Sequence, residues 1–486
     1  MMTQQELEKY LWGAATALRG TIDAGDYKQY IFPLMFFKRI SDVYDEEFEN
    51  ALAEGDGDLE FAAFAENHHF QIPKGAHWND VRETTTNIGL ALQNAMREIE
   101  KANPGTLHGI FGDASWTNKE RLSDAMLTDL IEHYSQHKLD LKNVPDDKLG
   151  DAYEYLIKEF ADDSGHTAAE FYTNRTVVKL MTMIMDPQPG ESVYDPTCGS
   201  GGLLLNCALH LKEEGKEYRT LKLYGQEINL LTSAIARMNM FMHGIEEFDI
   251  VRGDTLTSPA LLENDELKKF DVILANPPYS IKSWDRKAFE SDPYGRNAWG
   301  TPPQGCADYA FQQHIQKSLK LENGRSIVLW PYGVLFRDSE KEMRKEMIKS
   351  DLVECVIALG KNLFYNSIME SCLLITNNNK AVDRKGKVLF VDAREELKRE
   401  KTISYLLPKH IEKIHKAYLN FKTEEGFAYV AEDAEILEKE SSLNIPLYIK
   451  DINGEIISEP SEAYDEWKKS SKKLKNSMSE LFEVLK

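Results

Sequence analysis

The apolar run Asp271-Val272-Ile273-Leu274-Ala275 stops at Asn276-Pro277-Pro278-Tyr279-Ser280. An amide, two prolines and a phenol in that order can hold a planar amine still. An exocyclic amine on a base is a weak nucleophile, because its lone pair is delocalised into the ring. Two acceptors that take both amine hydrogens favour the pyramidal geometry in which the lone pair points at an electrophile. Asn276 offers a side-chain carbonyl, and Pro277 offers a backbone carbonyl with no N–H to compete. Each proline confines the residue before it to extended geometry, so the acceptors are nearly rigid. Tyr279 offers a face on which a base can stack. Fixed acceptors and in-line placement are the two effects that would carry the rate. Asn-Pro also marks ordinary turns, so this segment needs a second site that brings the electrophile.

The run Ser192-Val193-Tyr194 ends in Asp195-Pro196-Thr197-Cys198-Gly199-Ser200-Gly201-Gly202, and an apolar helix, Leu203–Leu211, follows. Strand, glycine loop and helix frame a nucleotide site at the carboxyl edge of an α/β sheet. The glycines let the backbone approach a ligand closely. A dinucleotide loop would need a small residue where Leu204 stands, and Asp195 would repel a pyrophosphate. A carboxylate suits a ligand with a cationic end. S-adenosylmethionine fits, with its ammonium group and positive sulfur. Glu227, at the end of the next strand (Leu221–Tyr224, then Gly225-Gln226), can accept both ribose hydroxyls. It lies 32 residues past Asp195, where roughly 20 is typical of the dinucleotide fingerprint. The polar stretch Lys212–Thr220 lengthens the crossover. Asp254, after Ile250-Val251-Arg252-Gly253, is placed to accept from an adenine amino group. Singly each acid is an ordinary loop residue; three successive strand ends with acids beside glycines make a joint case.

These strand ends need a scaffold. Residues 1–150 read as a helical N-terminal domain, with amphipathic stretches at Tyr27–Asn50 and Lys119–His137 and loops at Glu54–Gly75 and Asn103–Asn118. Asp147–Phe160 is another amphipathic helix. From there strand-like runs alternate with helices: Ser192–Tyr194, Leu221–Tyr224, Ile250-Val251, Val272–Leu274, Ser326–Trp330, Leu352–Ile357, Ser371–Ile375 and Val388–Val391. That alternation predicts an α/β, Rossmann-like domain with a mostly parallel sheet over 151–420. Residues 421–486 form a C-terminal extension. Its last helix carries Trp467, Leu474, Met478, Leu481 and Leu485 at coiled-coil spacing, with lysines between Lys468 and Lys475, as a partner-docking or simple surface helix.

Composition sets outer bounds. The chain has 486 residues, 42% of them hydrophobic, which is enough for a sizeable core. There is no run of 18 apolar residues, and the polar start is unlike a signal peptide, so no membrane role is expected. Five scattered cysteines without a Cys-x-x-Cys pair suggest reduced thiols in the cytoplasm and no zinc cluster. His133 and His137, four apart on a helix, and the loop pair His68-His69 read as surface histidines, so no metal is expected. The net charge of −22 is unusual for a chain that grips nucleic acid alone, which would carry a basic surface.

Taken together, the Asp195–Gly202 loop, Glu227, Asp254 and Asn276-Pro277-Pro278-Tyr279 resemble the N6-adenine DNA methyltransferases. The wider match is to the modification (methylation) subunit of type I restriction-modification systems. Thr167-Ala168-Ala169-Glu170-Phe171-Tyr172-Thr173 resembles the segment by which that family covers the methionine end of the cofactor. Asn174 stands where the family usually has proline, and Arg175 follows as expected. Val328–Phe336, Leu363-Phe364-Tyr365-Asn366-Ser367 and the helical start with Phe36–Asp42 are similar to the family as well. The resemblance implies catalytic roles for Asn276, Pro277, Pro278 and Tyr279. It implies cofactor contacts from Glu170, Phe171, Tyr172, Thr173, Asn174, Arg175, Asp195, Pro196, Cys198, Gly199, Ser200, Gly201, Gly202, Glu227 and Asp254. It further implies double-stranded DNA as substrate and a separate specificity subunit that reads the sequence, shared by two methylation subunits. A restriction/translocase subunit completes such a complex. The acidic charge and the absence of an evident recognition domain after 420 agree with that arrangement. Two other readings use the same motifs: a stand-alone methyltransferase acting on RNA or a protein glutamine, and a catalytically silent DNA-binding scaffold.

Overall fold

The computed structural model describes residues 2–18, 22, 26–163, 172–363, 369–400, 403–450 and 468. Glu170, Phe171, Phe364–Ser367 and the expected C-terminal helix, apart from Lys468, lie outside these residues. Among the described residues no helix is long and apolar enough to cross a membrane.

All eight runs expected as strands are strands, and one more joins them. They are β1 (Ser192–Asp195), β2 (Lys222–Glu227), β3 (Phe248–Arg252), β4 (Val272–Ala275), β5 (Arg325–Pro331), β6 (Val353–Leu359), β7 (Ser371–Asn377), β8 (Lys387–Ala393) and β9 (Ala428–Glu432). Together they make one nine-stranded sheet in the order 9-8-6-7-5-4-1-2-3. β1 to β5 pair in parallel, while β7 runs antiparallel between β5 and β6. The central strands are buried on both faces, which is why β4 reads as the unbroken apolar run Val-Ile-Leu-Ala.

Helices cover both faces. Helices α6 (Arg175–Met185), α7 (Gly202–Glu213) and α10 (Pro408–Asn420) pack one face, and α9 (Asp308–Ser318) the other. The N-terminal helices α1 (Gln4–Ala17), α2 (Lys28–Glu54), α3 (Ile88–Ala102), α4 (Asp124–Ser135) and α5 (Asp146–Asp163) share a separate core with one side of α8 (Leu230–Met242). The expected division at 150/151 falls within α5, and that at 420/421 falls between α10 and β9.

Within α2, Phe36–Asp42 is buried on all sides, polar residues included. Its polar groups are satisfied across the helix connections, as buried polar groups must be. Lys38 pairs with Asp42. Arg39 donates to the Val144 carbonyl at 2.8 Å and to Asp146 Oδ1 at 2.7 Å, while Asp42 Oδ2 accepts from the Leu139 N–H at 2.6 Å. These bonds fix where α5 begins. Gly150 then lets α5 cross α8 closely, since a Cβ there would come within 2.3 Å of the His243 ring.

At the far edge of the sheet Asp271 staples β1 to β4. Its Oδ2 accepts from the Ser192 N–H at 2.9 Å and hydroxyl at 2.7 Å, and Lys320 and Asn323 donate to its Oδ1 at 2.8 Å. Burial works to raise this carboxyl, but Lys320, Ser192 and Asn323 hold it well below the ordinary 3.8. A depressed carboxyl stabilises the fold above its unfolded value and ceases to as the pH falls through the folded one. Asp271→Asn is therefore expected to lower stability at neutral pH by roughly 2 kcal/mol. In urea titrations the gap between wild type and variant should stay constant above about pH 5 and close in stronger acid.

Candidate active site

The order 3-2-1-4 along the sheet sets four strand ends side by side at one edge. Asp254 follows β3, Glu227 closes β2, Asp195 closes β1 and Asn276 follows β4. The chain order reverses direction between β1 and β4, and the crevice at such a reversal is where α/β sheets bind ligands. One cleft there is lined by Thr173, Arg175, Asp195, Thr197, Cys198, Gly199, Ser200, Gly202, Leu203 and Asn276.

The glycine loop is held from both flanks. Gly199 and Gly201 take φ values of 53° and 80°, a region open to glycine at no steric cost. The Cys198 N–H donates to the Gln226 carbonyl at 3.0 Å, and the Gly199 N–H donates to Glu227 Oε2 at 3.1 Å. Glu227 Oε1 accepts from the Asn229 N–H at 2.8 Å. Asp195 is buried, and its Oδ1 accepts from the Thr197 N–H at 3.0 Å. Burial, with Glu227 nearby acting the same way, pushes its carboxyl up to about 8. Tyr172, Asn174, Pro196, Gly201 and Glu227 are not among the residues that line this cleft, and neither is Asp254. Its Oδ1 turns its own loop by accepting from the Leu256 N–H at 2.9 Å, and the Thr255 hydroxyl bonds the Pro196 carbonyl.

Behind the loop lies a polar network that sequence reasoning missed. Arg175 pairs with Glu154 of α5, stacks over the Tyr172 ring at 4.4 Å and packs against Gly202. A Cβ on residue 202 would fall 1.8 Å from the Arg175 guanidinium. Asn239 of α8 joins Glu154 Oε1 at 2.7 Å to the Ser200 carbonyl at 3.0 Å. Burial works to raise the Glu154 carboxyl, but Arg175 and Asn239 bring it below the usual range. Of this network the sequence marked only Arg175; Glu154 and Asn239 sit in helices that carry other polar residues. Asn174 caps α6: its Oδ1 accepts from the Thr176 N–H at 3.0 Å and its Nδ2 donates to the Ser404 carbonyl at 3.0 Å. An amide thus starts the helix where a proline was expected.

The Asn276-Pro277-Pro278-Tyr279 turn is equally fixed. Asn276 Nδ2 donates to Thr173 Oγ1 at 3.0 Å, and the Tyr279 hydroxyl donates to Asn276 Oδ1 at 2.5 Å. Tyr279 is therefore folded in on the acceptor that an amine would use. After it, Ser280 takes a φ of 50°, a left-handed conformation that side chains rarely adopt. Its N–H donates to Asp308 Oδ1 at 2.8 Å, and Arg337 pairs with the other oxygen of Asp308. Glu340 lies 2.9 Å from Arg337 Nε, and burial pushes its carboxyl up to about 7. Cys306, Asp308 and Glu340 cluster closely enough for a metal, but the Arg337 guanidinium stands among them as the cation. All five cysteines are free and buried.

The histidines have structural partners. His133 stacks on Tyr10 and bonds its carbonyl at 2.7 Å, and His137 meets the same ring edge-on. His68, expected at the surface, is buried against Tyr44 and bonds the Ala62 carbonyl at 2.8 Å.

With this geometry in hand, comparison with known proteins is direct. Residues 144–455 match the family profile of the N-6 DNA methylases, and residues 7–134 match that of the HsdM N-terminal domain. The chain is 31% identical to the type I restriction enzyme MpnII methylase subunit of Mycoplasma pneumoniae, over 91% of this chain and 89% of that protein. It is 28% identical to the MjaVII methylase subunit of Methanocaldococcus jannaschii, over 99% of this chain and 84% of that one. A crystal structure of a type I restriction-modification methyltransferase subunit from Streptococcus thermophilus superposes with a TM-score of 0.80 at 30% identity, covering 92% of this chain and all of that one.

The Arg175–Glu154 pair generates a test. Arg175→Met leaves Glu154 unpaired beneath the glycine loop, and breaking such a pair costs about 3 kcal/mol. A fall in the urea midpoint, together with weaker nucleotide binding, is the expected result; an unchanged midpoint would show that the pair supports nothing.

Proposed function

The chain belongs to the N-6 DNA methylase family, as a methylase subunit of the type I restriction-modification kind, and on that basis we propose that it moves a methyl group from S-adenosylmethionine to the N6 of an adenine flipped out of duplex DNA. The observation that carries the reading is the single cleft in which Thr173, Arg175, the glycine loop and Asn276 meet. The RNA, protein-glutamine and silent-scaffold readings have no comparable support.

The residues fit this cofactor. Asp195 is a buried carboxyl pushed up to about 8, and a ligand ammonium is the counter-charge such a group lacks. When bound, the cofactor supplies an electrophilic methyl on a positive sulfur. Pro196, Thr197, Cys198, Gly199, Ser200, Gly201 and Gly202 form the cradle for its methionine part. Tyr172 and Arg175 brace that cradle, with Asn174 starting the helix behind it; the expected cofactor contacts of Glu170 and Phe171 lie outside the described residues. Glu227, at the end of β2, accepts the ribose hydroxyls. Ile228, 62% exposed beside it, gives the adenine ring an apolar surface, and Asp254 accepts from the ring's amino group.

On the substrate side, Asn276 Oδ1 and the Pro277 carbonyl accept the two amine hydrogens, and Pro278 keeps the turn rigid. The incoming amine displaces the Tyr279 hydroxyl from Asn276, and the freed ring stacks on the base. Flipping costs on the order of a few kcal/mol, of which stacking returns about 1–3 kcal/mol. In this reading a separate specificity subunit chooses the site, two methylation subunits serve it, and a restriction/translocase subunit joins the larger cytoplasmic complex. A partner that supplies the basic DNA grip also accommodates the net charge of −22.

Two measurements test this. Asn276→Ala, assayed with tritiated cofactor, duplex DNA and the specificity subunit, should lose at least about a hundredfold in rate while binding S-adenosylmethionine normally. Persistent methylation would refute the mechanism, and label appearing only in RNA or protein would redirect the substrate. The second concerns pH. Only ionised Asp195 pairs with an ammonium, so cofactor affinity should weaken as the pH falls below about 8, by up to roughly tenfold per unit. Calorimetry should find that slope flattened, and binding weak throughout, in Asp195→Asn.

A further inference from the structure

An asparagine amide can turn two ways, and only one serves an incoming amine. With Oδ1 toward the substrate it accepts; with Nδ2 there, it points hydrogens at hydrogens. In the structure Nδ2 is tied to Thr173 Oγ1 at 3.0 Å and Oδ1 holds the Tyr279 hydroxyl at 2.5 Å. The second of these bonds shares the acceptor that the amine would use, and in the mechanism proposed above the Tyr279 hydroxyl gives way to the amine. The Thr173 bond does not compete with the substrate, so it is the one that can keep the amide oriented through the reaction.

Thr173 is well placed to do so. A β-branched side chain is stiff about its first torsion. Its backbone leads directly into α6, where Asn174 fixes the helix start and Arg175 returns a hydrogen bond to the Thr173 carbonyl at 3.4 Å. The hydroxyl is thus anchored to the Arg175–Glu154 pair, on a different element from the amide it holds. The family resemblance placed Thr173 in the cover over the cofactor. Resting on the function proposed above, we propose that Thr173 is instead a positioning residue for Asn276, selecting the amide rotamer that presents an acceptor to the target amine.

The assignment separates cleanly from a cofactor role. Thr173→Val keeps the shape and removes the acceptor; Thr173→Ser keeps the hydroxyl. With the specificity subunit and duplex DNA, Thr173→Val should lower kcat about tenfold or more. S-adenosylmethionine affinity, measured by equilibrium dialysis, should change less than about twofold, with Tm unaltered. Thr173→Ser should recover most of the lost rate. Weakened cofactor binding at unchanged kcat in Thr173→Val would return the residue to the cofactor cover and overturn the assignment, as would wild-type behaviour on both counts. Failure of the wild-type chain itself to methylate DNA would instead sink the functional reading, and the Thr173 assignment with it.

Discussion

The Arg175 guanidinium lies where any side chain on residue 202 would have to go. Three parts of the molecule meet there. Glu154 brings α5 of the N-terminal helices, Asn239 brings α8, and Gly202 brings the loop that leaves β1. Arginine suits this place because its planar fork satisfies a carboxylate, packs flat on glycine and stacks on the Tyr172 ring at once. Without the pair, the glycine loop would rest on a buried carboxylate with no counter-charge. The N-terminal helices therefore do more than accompany the sheet: through Glu154 they brace Arg175, which lines the cleft.

The same constraint reaches the chemistry. Thr173, two residues before Arg175, holds Asn276. Past Tyr279 the turn is closed by Ser280 in a conformation that costs of order 1–3 kcal/mol, stabilised by Asp308 and behind it Arg337 and Glu340. The acceptors are thus tied on one side to the start of α6 and on the other to the start of α9. Preorganisation of this kind is what an amine methylation needs, because the nucleophile is poor and the acceptors must not move as charge develops.

Much of this was legible in the residues. Asp195, Glu227, Asp254 and Asn276 each end a strand, and strand ends show in sequence as apolar runs broken by glycine or proline. The burial of Asp195 at the end of β1 followed from its place after an apolar run, and its expected preference for a cationic ligand rests on a carboxylate repelling a pyrophosphate. The supporting groups were not readable. Glu154, Asn239, Asp308 and Arg337 sit in helices and connections where charged and polar residues are ordinary. Their burial depends on which elements cross them, as Gly150 against His243 illustrates. β9 was missed for a different reason: Ala428–Glu432 lies beyond 420, where the alternation of strands and helices was read as ending, and it joins the sheet edge antiparallel to β8. The Tyr279 hydroxyl bond to Asn276 likewise depends on a rotamer, which no spacing encodes.

Local chemistry is written in the chain itself: which side chains can accept, which loops can bend, and where each strand stops. Their assembly is another matter. In sequence, β3 and its Asp254 come just before β4 and Asn276. In the sheet, β4 pairs instead with β1, held there by Asp271 on Ser192, so the order becomes 3-2-1-4. That pairing sets Asn276 beside Asp195 and sends Asp254 to the far end of the row. Residue identity fixed the groups, but only parallel strand pairing, which depends on crossovers through distant helices, decided which of them are neighbours.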